Sequence, residues 1–232
     1  MSEITNKNKI LILIQYLLGY LVVYPILLGF LVSFVYKVVG KDLSYEIQFL
    51  FYVVFLLYFC YLCKPLLMDL FNAVKTRLLP ILKITGKNLL ISYALNYVIN
   101  IVLMMFINDT SSANQIAIES QLITSPILII FVSVVFAPLV EEFVFRGVIY
   151  KYIEERKGFW IGACISSFLF GGMHVFFSIF SFNFMDLIFA FPYMVQGFMI
   201  AKNYHETKSF LGAWLLHFLN NYIAVTILLL LR

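Results

Sequence analysis

Long apolar runs constrain the fold of this chain more than any other feature of its sequence. One run extends from Leu122 to Val140, and runs of similar length recur from the N-terminal region to the C-terminus. About 20 consecutive apolar residues are enough for a helix to cross a lipid bilayer. Only 12% of the 232 residues are charged and 63% are hydrophobic, whereas a soluble domain carries about a quarter charged residues. The sequence therefore predicts an all-α, polytopic helical membrane protein.

The apolar runs divide the chain into about seven predicted transmembrane helices. Their predicted ranges are 10–37, 46–68, 88–107, 122–150, 159–181, 184–202 and 209–231. The segment 69–87 is too polar to span, but it can lie at the membrane interface. We predict one integral membrane domain, in which an N-terminal region (1–121) carries the first three spans and a core (122–232) carries the last four.

Basic residues alternate between the loops and so predict the orientation of the chain. Twelve lie on one predicted side: Lys7, Lys9, Lys64, Lys75, Arg77, Lys83, Lys87, Lys151, Arg156, Lys157, Lys202 and Lys208. Three lie on the other side: Lys37, Lys41 and Arg232. Because basic loops stay in the cytoplasm, we predict a cytoplasmic N-terminus and an external C-terminus.

Several functional classes find no support in the sequence. The net charge of +4 is spread over several loops, so it does not indicate a nucleic-acid partner. The three cysteines lie in or beside apolar segments and are interpreted as hydrophobic filler rather than as a metal or redox site. The chain contains no H-E-x-x-H zinc motif, no G-x-S-x-G elbow and no P-loop.

A cluster of ionisable residues interrupts the fourth predicted span. Glu141 and Glu142 follow its apolar run, and Arg146 comes one helical turn after Glu142. Ionisable residues at membrane depth are rare and usually functional. Residues four apart share a helix face, so Glu142 and Arg146 can pair, whereas Glu141 points about 100° away. One glutamate can therefore be held by the arginine while the other stays free.

Further polar residues lie on two other predicted spans. His217 and Asn221 are also four residues apart. The helix rise of about 1.5 Å per residue places Glu142 and His217 at similar depths, each roughly 13 Å from its cytoplasmic loop, and His174 deeper, at roughly 25 Å. His174 therefore reaches the other two only if its helix tilts or breaks at Gly171-Gly172. Asp186 begins a span near the outer surface and is predicted to be solvated.

This collection of residues is compatible with several activities. A carboxylate can take a proton from water and return it to a leaving amine, while imidazole or amide donors stabilise an oxyanion. Two histidines and a carboxylate are also a zinc ligand set. Alternatively, the Glu–Arg pair is a structural lock in a non-catalytic membrane scaffold. A proton-coupled transporter is a third hypothesis, but it would require an inverted repeat or paired broken helices, and the sequence shows neither.

Three motifs in order connect the chain to a known family. They are E-E-x-x-x-R at Glu141–Arg146, F-x-x-x-H at Phe170–His174 and H-x-x-x-N at His217–Asn221. With these motifs, residues 122–225 resemble the intramembrane CAAX-protease and bacteriocin-processing family (CPBP, or Abi), and its bacterial branch in particular.

The resemblance implies endopeptidase chemistry inside the helical bundle and a role for each motif residue. Glu141 would activate water, Glu142 and Arg146 would support it, His174 would assist at the water, and His217 with Asn221 would bind water or the oxyanion. The family is named as metalloproteases, while its eukaryotic branch has been argued to be metal-free. Both mechanisms stay open, with Glu141, His174 and His217 as candidate ligands of a divalent metal such as zinc.

The resemblance to the bacterial branch also implies a location, a bacterial plasma membrane, and suggests partners. Besides membrane lipids, we expect a small membrane-associated peptide or protein as substrate, with a role in peptide processing or bacteriocin self-immunity. Nothing in the sequence favours prenylated C-termini, the substrates of the eukaryotic branch. The alternative is a non-catalytic immunity protein or scaffold of the same fold.

Overall fold

The computed structural model describes residues 4–106 and 111–231. These residues form helices and no strands, which confirms the predicted all-α class. In chain order the helices are α1 (Asn6–Val39), α2 (Ser44–Leu62), α3 (Lys64–Met104), α4 (Ala113–Thr124), α5 (Pro126–Lys157), α6 (Phe159–His174), α7 (Phe176–Phe180), α8 (Phe184–Thr207) and α9 (Phe210–Leu230). The predicted end of the third span at 107, the start of the loop after it and the C-terminal arginine lie outside the described residues.

The lengths and compositions of the helices confirm a polytopic membrane protein. Among the described residues, six helices are long and apolar enough to cross a membrane: α1, α2, α3, α5, α8 and α9. Large apolar side chains such as Phe30, Leu90 and Tyr97 lie exposed on their outer faces. Such extensive apolar surface indicates contact with lipid rather than water.

The spans differ from the predicted ones in three places. The predicted fifth span, 159–181, is the shorter helix α6, which ends at His174 because the backbone leaves the helical conformation at Val175.

The polar segment 69–87 is joined to the third span within the 41-residue helix α3. That helix is kinked at Arg77 and contains Pro80, whose ring removes a backbone hydrogen bond. The predicted fourth span begins only at Pro126, after a break at Ser125.

Helix α5 lies at the centre of the bundle. In its most apolar stretch, 56% of the residues are buried, against 6% for α1. The core around it combines Phe136, Phe143 and Phe145 of α5 with Phe59 of α2 and Ile12 of α1. The ionisable cluster of α5 is therefore surrounded by protein rather than by lipid.

Two glycines set the position of α6 relative to its neighbours. Gly158 has φ +82°, a left-handed conformation that glycine adopts without strain, so α6 starts in a new direction after α5. Gly171 lies directly against α8, because a Cβ atom there would come within 2.7 Å of the Ala190 carbonyl oxygen and 2.9 Å of the Met194 nitrogen. This close approach brings the end of α6, and with it His174, into the bundle.

The contact at Gly171 gives a stability prediction. We expect Gly171→Ala to lower the free energy of unfolding by about 1–3 kcal/mol, because the added methyl group meets backbone atoms that cannot move aside. The matched control is Gly172→Ala, where a Cβ meets nothing within 4 Å and the higher helix propensity of alanine favours the folded state by up to about 1 kcal/mol. Thermal unfolding in detergent, followed by far-UV circular dichroism, measures both. Equal stability of the two variants would contradict the close packing.

Candidate active site

Glu142, Arg146 and His217 form a buried polar cluster at the centre of the bundle. Arg146 Nη1 donates to Glu142 Oε1 at 3.1 Å, and both side chains are 0% exposed. The same carboxylate oxygen lies 2.7 Å from His217 Nδ1. The pairing expected from the i, i+4 spacing is therefore present, and it extends from α5 to α9.

The Arg146 guanidinium is also bound to α6 and α8. Its Nη2 donates to the Gly197 carbonyl oxygen at 2.7 Å, and its central carbon lies 4.7 Å from the centre of the Phe170 ring, within cation–π range. A Cβ at position 197 would come within 3.3 Å of Nη2, so glycine leaves room for the guanidinium. One buried cation thus connects three helices around the site.

Glu141 faces away from this cluster and towards the two motif histidines. Its Oε2 atom lies 4.0 Å from His174 Nε2 and 3.9 Å from His217 Nε2. Its side chain is 15% exposed, and Oε2 makes no hydrogen bond to any described protein group. The helical geometry that separates the two glutamates therefore leaves Glu141 free of the arginine.

The hydrogen bonds of the two imidazoles determine which nitrogens face Glu141. His174 Nδ1 lies 2.8 Å from the Phe170 carbonyl oxygen, and His217 Nδ1 lies 2.7 Å from Glu142. A carbonyl oxygen or an ionised carboxylate only accepts, so each Nδ1 carries the hydrogen. In the neutral rings, both Nε2 atoms then present lone pairs towards Glu141. Three acceptors converge on one point.

A cavity of about 380 Å³ adjoins this point. The motif residues Glu141, His174, His217 and Asn221 line it. Three tyrosines from the N-terminal helices and three amide side chains from α4 also contribute to the wall: Tyr16, Tyr20, Tyr52, Asn114, Gln115 and Gln121. The first 121 residues, which carry none of the motifs, therefore help to enclose the site.

The structure brings all six predicted site residues to this region. His174 reaches Glu141 because α6 packs closely against α8 and starts in a new direction after Gly158. The helix is continuous at Gly171-Gly172, where the sequence offered a possible break. Asn221 lies at the cavity wall, where its amide nitrogen donates to the Ser133 carbonyl oxygen at 2.8 Å. It therefore keeps one amide hydrogen for another acceptor.

The three candidate metal ligands have suitable donor atoms but a wide spacing. Two Nε2 lone pairs and a carboxylate oxygen form a recognised zinc ligand set. Ligand atoms at about 2.0–2.1 Å from a tetrahedral zinc lie about 3.4 Å apart, closer than the 3.9 and 4.0 Å observed. Within residues 4–106 and 111–231, no group of three histidine, cysteine or acidic side chains meets the spacing of a metal site.

Tyr193 and Asp186 are important in the structure but were not identified as site residues from the sequence. Tyr193 stacks on His174, with ring centroids 4.2 Å apart. Asp186, predicted to be solvated, is only 4% exposed and accepts hydrogen bonds from Ser178 and from the Ala113 nitrogen. That prediction was wrong because the start of α4 folds over Asp186, a contact between segments far apart in the chain. No local pattern marks either residue.

Comparison with known proteins shows what the segment that carries this site is similar to. The family model of the type II CAAX prenyl endopeptidase Rce1-like proteins matches residues 123–223. The matched segment contains the three motifs and extends from α4 into α9. It confirms the resemblance that the motifs indicate, over a segment that is less than half of the chain.

One curated relative matches part of the same chain. Over 97 residues, the chain is 33% identical to the Bacillus subtilis (strain 168) protein described as "Putative membrane peptidase YdiL". The alignment covers 42% of this chain and 35% of the relative, so the chain spans about a third of that protein's length. No solved structure matches the chain.

The buried cluster gives a prediction that is independent of activity. Arg146→Met should destabilise the protein by about 3–5 kcal/mol, because it leaves Glu142 as a buried charge with its main partner removed. Adding Glu142→Gln should recover part of this loss, since the double variant buries no net charge.

Unfolding by denaturant in detergent measures the two variants and a control. Arg156→Met is the control, because Arg156 is exposed and surface substitutions usually change stability by about 0.5 kcal/mol or less. Strictly additive effects of the Arg146 and Glu142 substitutions would show that the two side chains are not coupled.

Proposed function

We propose that the protein is an intramembrane endopeptidase in which Glu141 activates a water molecule for attack on a peptide bond. The convergence of Glu141 Oε2 and two imidazole Nε2 atoms is the observation that carries this proposal. The separations of 3.9 and 4.0 Å exceed a direct hydrogen bond and suit groups bridged by water. The family match over the site segment supports protease chemistry.

The proposed reaction follows from the placement of the acceptors. Glu141 takes a proton from water while the water oxygen bonds to the scissile carbonyl carbon, whose π electrons move onto its oxygen. The remaining amide hydrogen of Asn221 can donate to this oxyanion. The C–N bond then breaks as Glu141 returns the proton to the leaving nitrogen, which yields a carboxylic acid and an amine.

The Glu142–Arg146 pair has a supporting role in this scheme. Glu142 accepts from His217 Nδ1, so it fixes the orientation and tautomer of the ring, and Arg146 pairs with Glu142 and holds its side chain in place. A histidine oriented by a carboxylate in this way is a common device in hydrolytic sites.

The balance of hydrogen-bond donors and acceptors at the site bears on whether a metal takes part in the reaction. A water molecule has two hydrogens, whereas three acceptors face it. The third acceptor is therefore satisfied only if one of the three groups carries an additional proton, or if a cation binds between them. A divalent metal, zinc in the first instance, would be held by Glu141, His174 and His217, and it would supply Lewis acidity towards water. Metal assistance is thus the second candidate mechanism, and its support is the chemistry of the donor set.

The proposed substrate is a small membrane-associated peptide or protein. Apart from Glu141 and the histidines, the described cavity wall consists of uncharged side chains, which suits the amide groups of a peptide segment. The proposed context is processing of exported peptides or bacteriocin self-immunity in a bacterial plasma membrane. The proposed orientation, with the N-terminus in the cytoplasm, is supported by the distribution of basic residues.

The first experiment replaces the proposed base with its uncharged isostere. Cells that express the wild-type chain should accumulate new peptide termini in the membrane fraction, and Glu141→Gln should reduce them by about 100-fold or more, the usual contribution of a general base. Mass spectrometry of membrane peptides provides the measurement. Glu46→Gln is the control, since Glu46 is an exposed residue in the first turn of α2.

The same experiment separates the enzyme from the alternative scaffold. A scaffold or immunity protein would give the same peptides with wild-type and Glu141→Gln protein, and surface substitutions would abolish its phenotype. Normal processing by folded Glu141→Gln and His217→Ala variants would refute the protease proposal.

A second experiment tests the metal. If a metal takes part, purified wild-type protein should contain about one zinc per chain by elemental analysis, and His174→Ala and His217→Ala should lower this content at least about tenfold, because loss of a ligand opens the tetrahedral set. Chelation should stop processing, and added zinc should restore it. Full activity of chelated, zinc-depleted protein would favour the mechanism with the additional proton.

A further inference from the structure

Tyr193 lies on α8, directly against one of the proposed site histidines. Its ring stacks on the His174 ring, with centroids 4.2 Å apart and planes inclined by 20°. It also lines the cavity beside Glu141. The Tyr193 ring therefore packs against a face of the His174 ring, and this stacking does not compete with hydrogen bonds of the imidazole, which lie in the ring plane.

His174 has little support from its own helix. It is the last residue of α6, and the backbone at Val175 is already non-helical. Within α6, the described contacts of its imidazole are the hydrogen bond to the Phe170 carbonyl oxygen and an inclined contact with the Phe170 ring. The torsion that joins the imidazole to Cβ is broad for histidine, so a single hydrogen bond at Nδ1 restricts the ring plane only in part. The direction of Nε2 therefore depends on what packs against the ring.

The Tyr193 hydroxyl is held at its other end by the start of α4. It is hydrogen-bonded to Ser112 Oγ at 2.9 Å and accepts from Asn114 Nδ2 at 3.2 Å. Ser112 also caps α4 by accepting from the Gln115 nitrogen at 3.1 Å. The Ala113 nitrogen is bound by the buried carboxylate of Asp186 at 2.8 Å. Tyr193 is therefore fixed between His174 and a helix start that is itself anchored.

We propose that Tyr193 is a positioning residue for His174, which it orients so that Nε2 faces Glu141. The stack sets the ring plane, and the hydroxyl contacts with Ser112 and Asn114 set the place of the tyrosine. The start of α4, outside the three motifs, thereby contributes to the geometry of the site. The catalytic consequence of this proposal rests on the proposed protease function, whereas the orientation of the ring does not.

The test uses full-length protein in detergent micelles, labelled with nitrogen-15 histidine. The chain has three histidines, and the signals of His174 are those lost in His174→Gln. In the wild type, the ring nitrogens of His174 should show one tautomer, with the hydrogen on Nδ1. Tyr193→Leu removes the stack and should shift both signals towards the average of the two tautomers, with the His217 signals unchanged.

Two milder variants and one control make the test specific. Tyr193→Phe keeps the stack and loses the hydroxyl contacts, and Ser112→Ala removes one of those contacts with the tyrosine intact. Both should shift the His174 signals less than Tyr193→Leu does. Tyr97→Leu is the control, because Tyr97 is 70% exposed on α3. Unchanged His174 signals in the three site variants, or equal shifts in the control, would overturn the proposal.

Processing of membrane peptides provides the functional readout. The Glu141-dependent termini should fall about tenfold or more in Tyr193→Leu and less in Tyr193→Phe, because a misplaced acid–base group loses part of its contribution. Full processing by Tyr193→Leu would overturn the catalytic part of the proposal. If wild-type protein produces no Glu141-dependent termini, the protease function fails instead, and the histidine signals still decide whether Tyr193 orients the ring.

Discussion

The buried contact between Arg146 and Glu142 is the interaction on which the rest of the structure depends. An arginine without exposure among apolar helices requires compensation of its charge and of its hydrogen-bond donors. Glu142 supplies the charge, and the Gly197 carbonyl oxygen accepts a second guanidinium hydrogen bond. Because these partners lie on α5 and α8, and because His217 of α9 joins the same carboxylate, one ion pair fixes the arrangement of three helices.

The division between the two glutamates follows from this constraint. Adjacent residues on a helix point about 100° apart, so burying Glu142 against the arginine directs Glu141 into the cavity. Helix α5 has wider, π-type turns at Phe131–Phe136 and Phe143–Tyr150, on both sides of the pair. Such turns are frequent at functional sites, and here they flank the part of α5 that carries both carboxylates.

The parts of the chain without motifs complete the site. Tyrosines of α1 and α2 and amide side chains of α4 form part of the cavity wall, and the family match begins only at residue 123. The three motifs supply the ionisable groups that face the cavity, whereas the N-terminal helices and α4 contribute part of its wall. Differences in this region between related proteins are where we would expect differences in substrate.

The sequence by itself determined the all-α membrane class and the approximate spans, because hydrophobic length is a local property, and its three motifs marked the six residues that converge on the site. It could not determine that α6 ends at His174, that the segment 69–87 continues into a span, or that Asp186 is buried. The approach of His174 to Glu141 and its stacking on Tyr193 were likewise decided by the tertiary structure. These features depend on contacts between helices far apart in the chain, such as the packing of Gly171 against α8, and no local pattern encodes the distance between two helices.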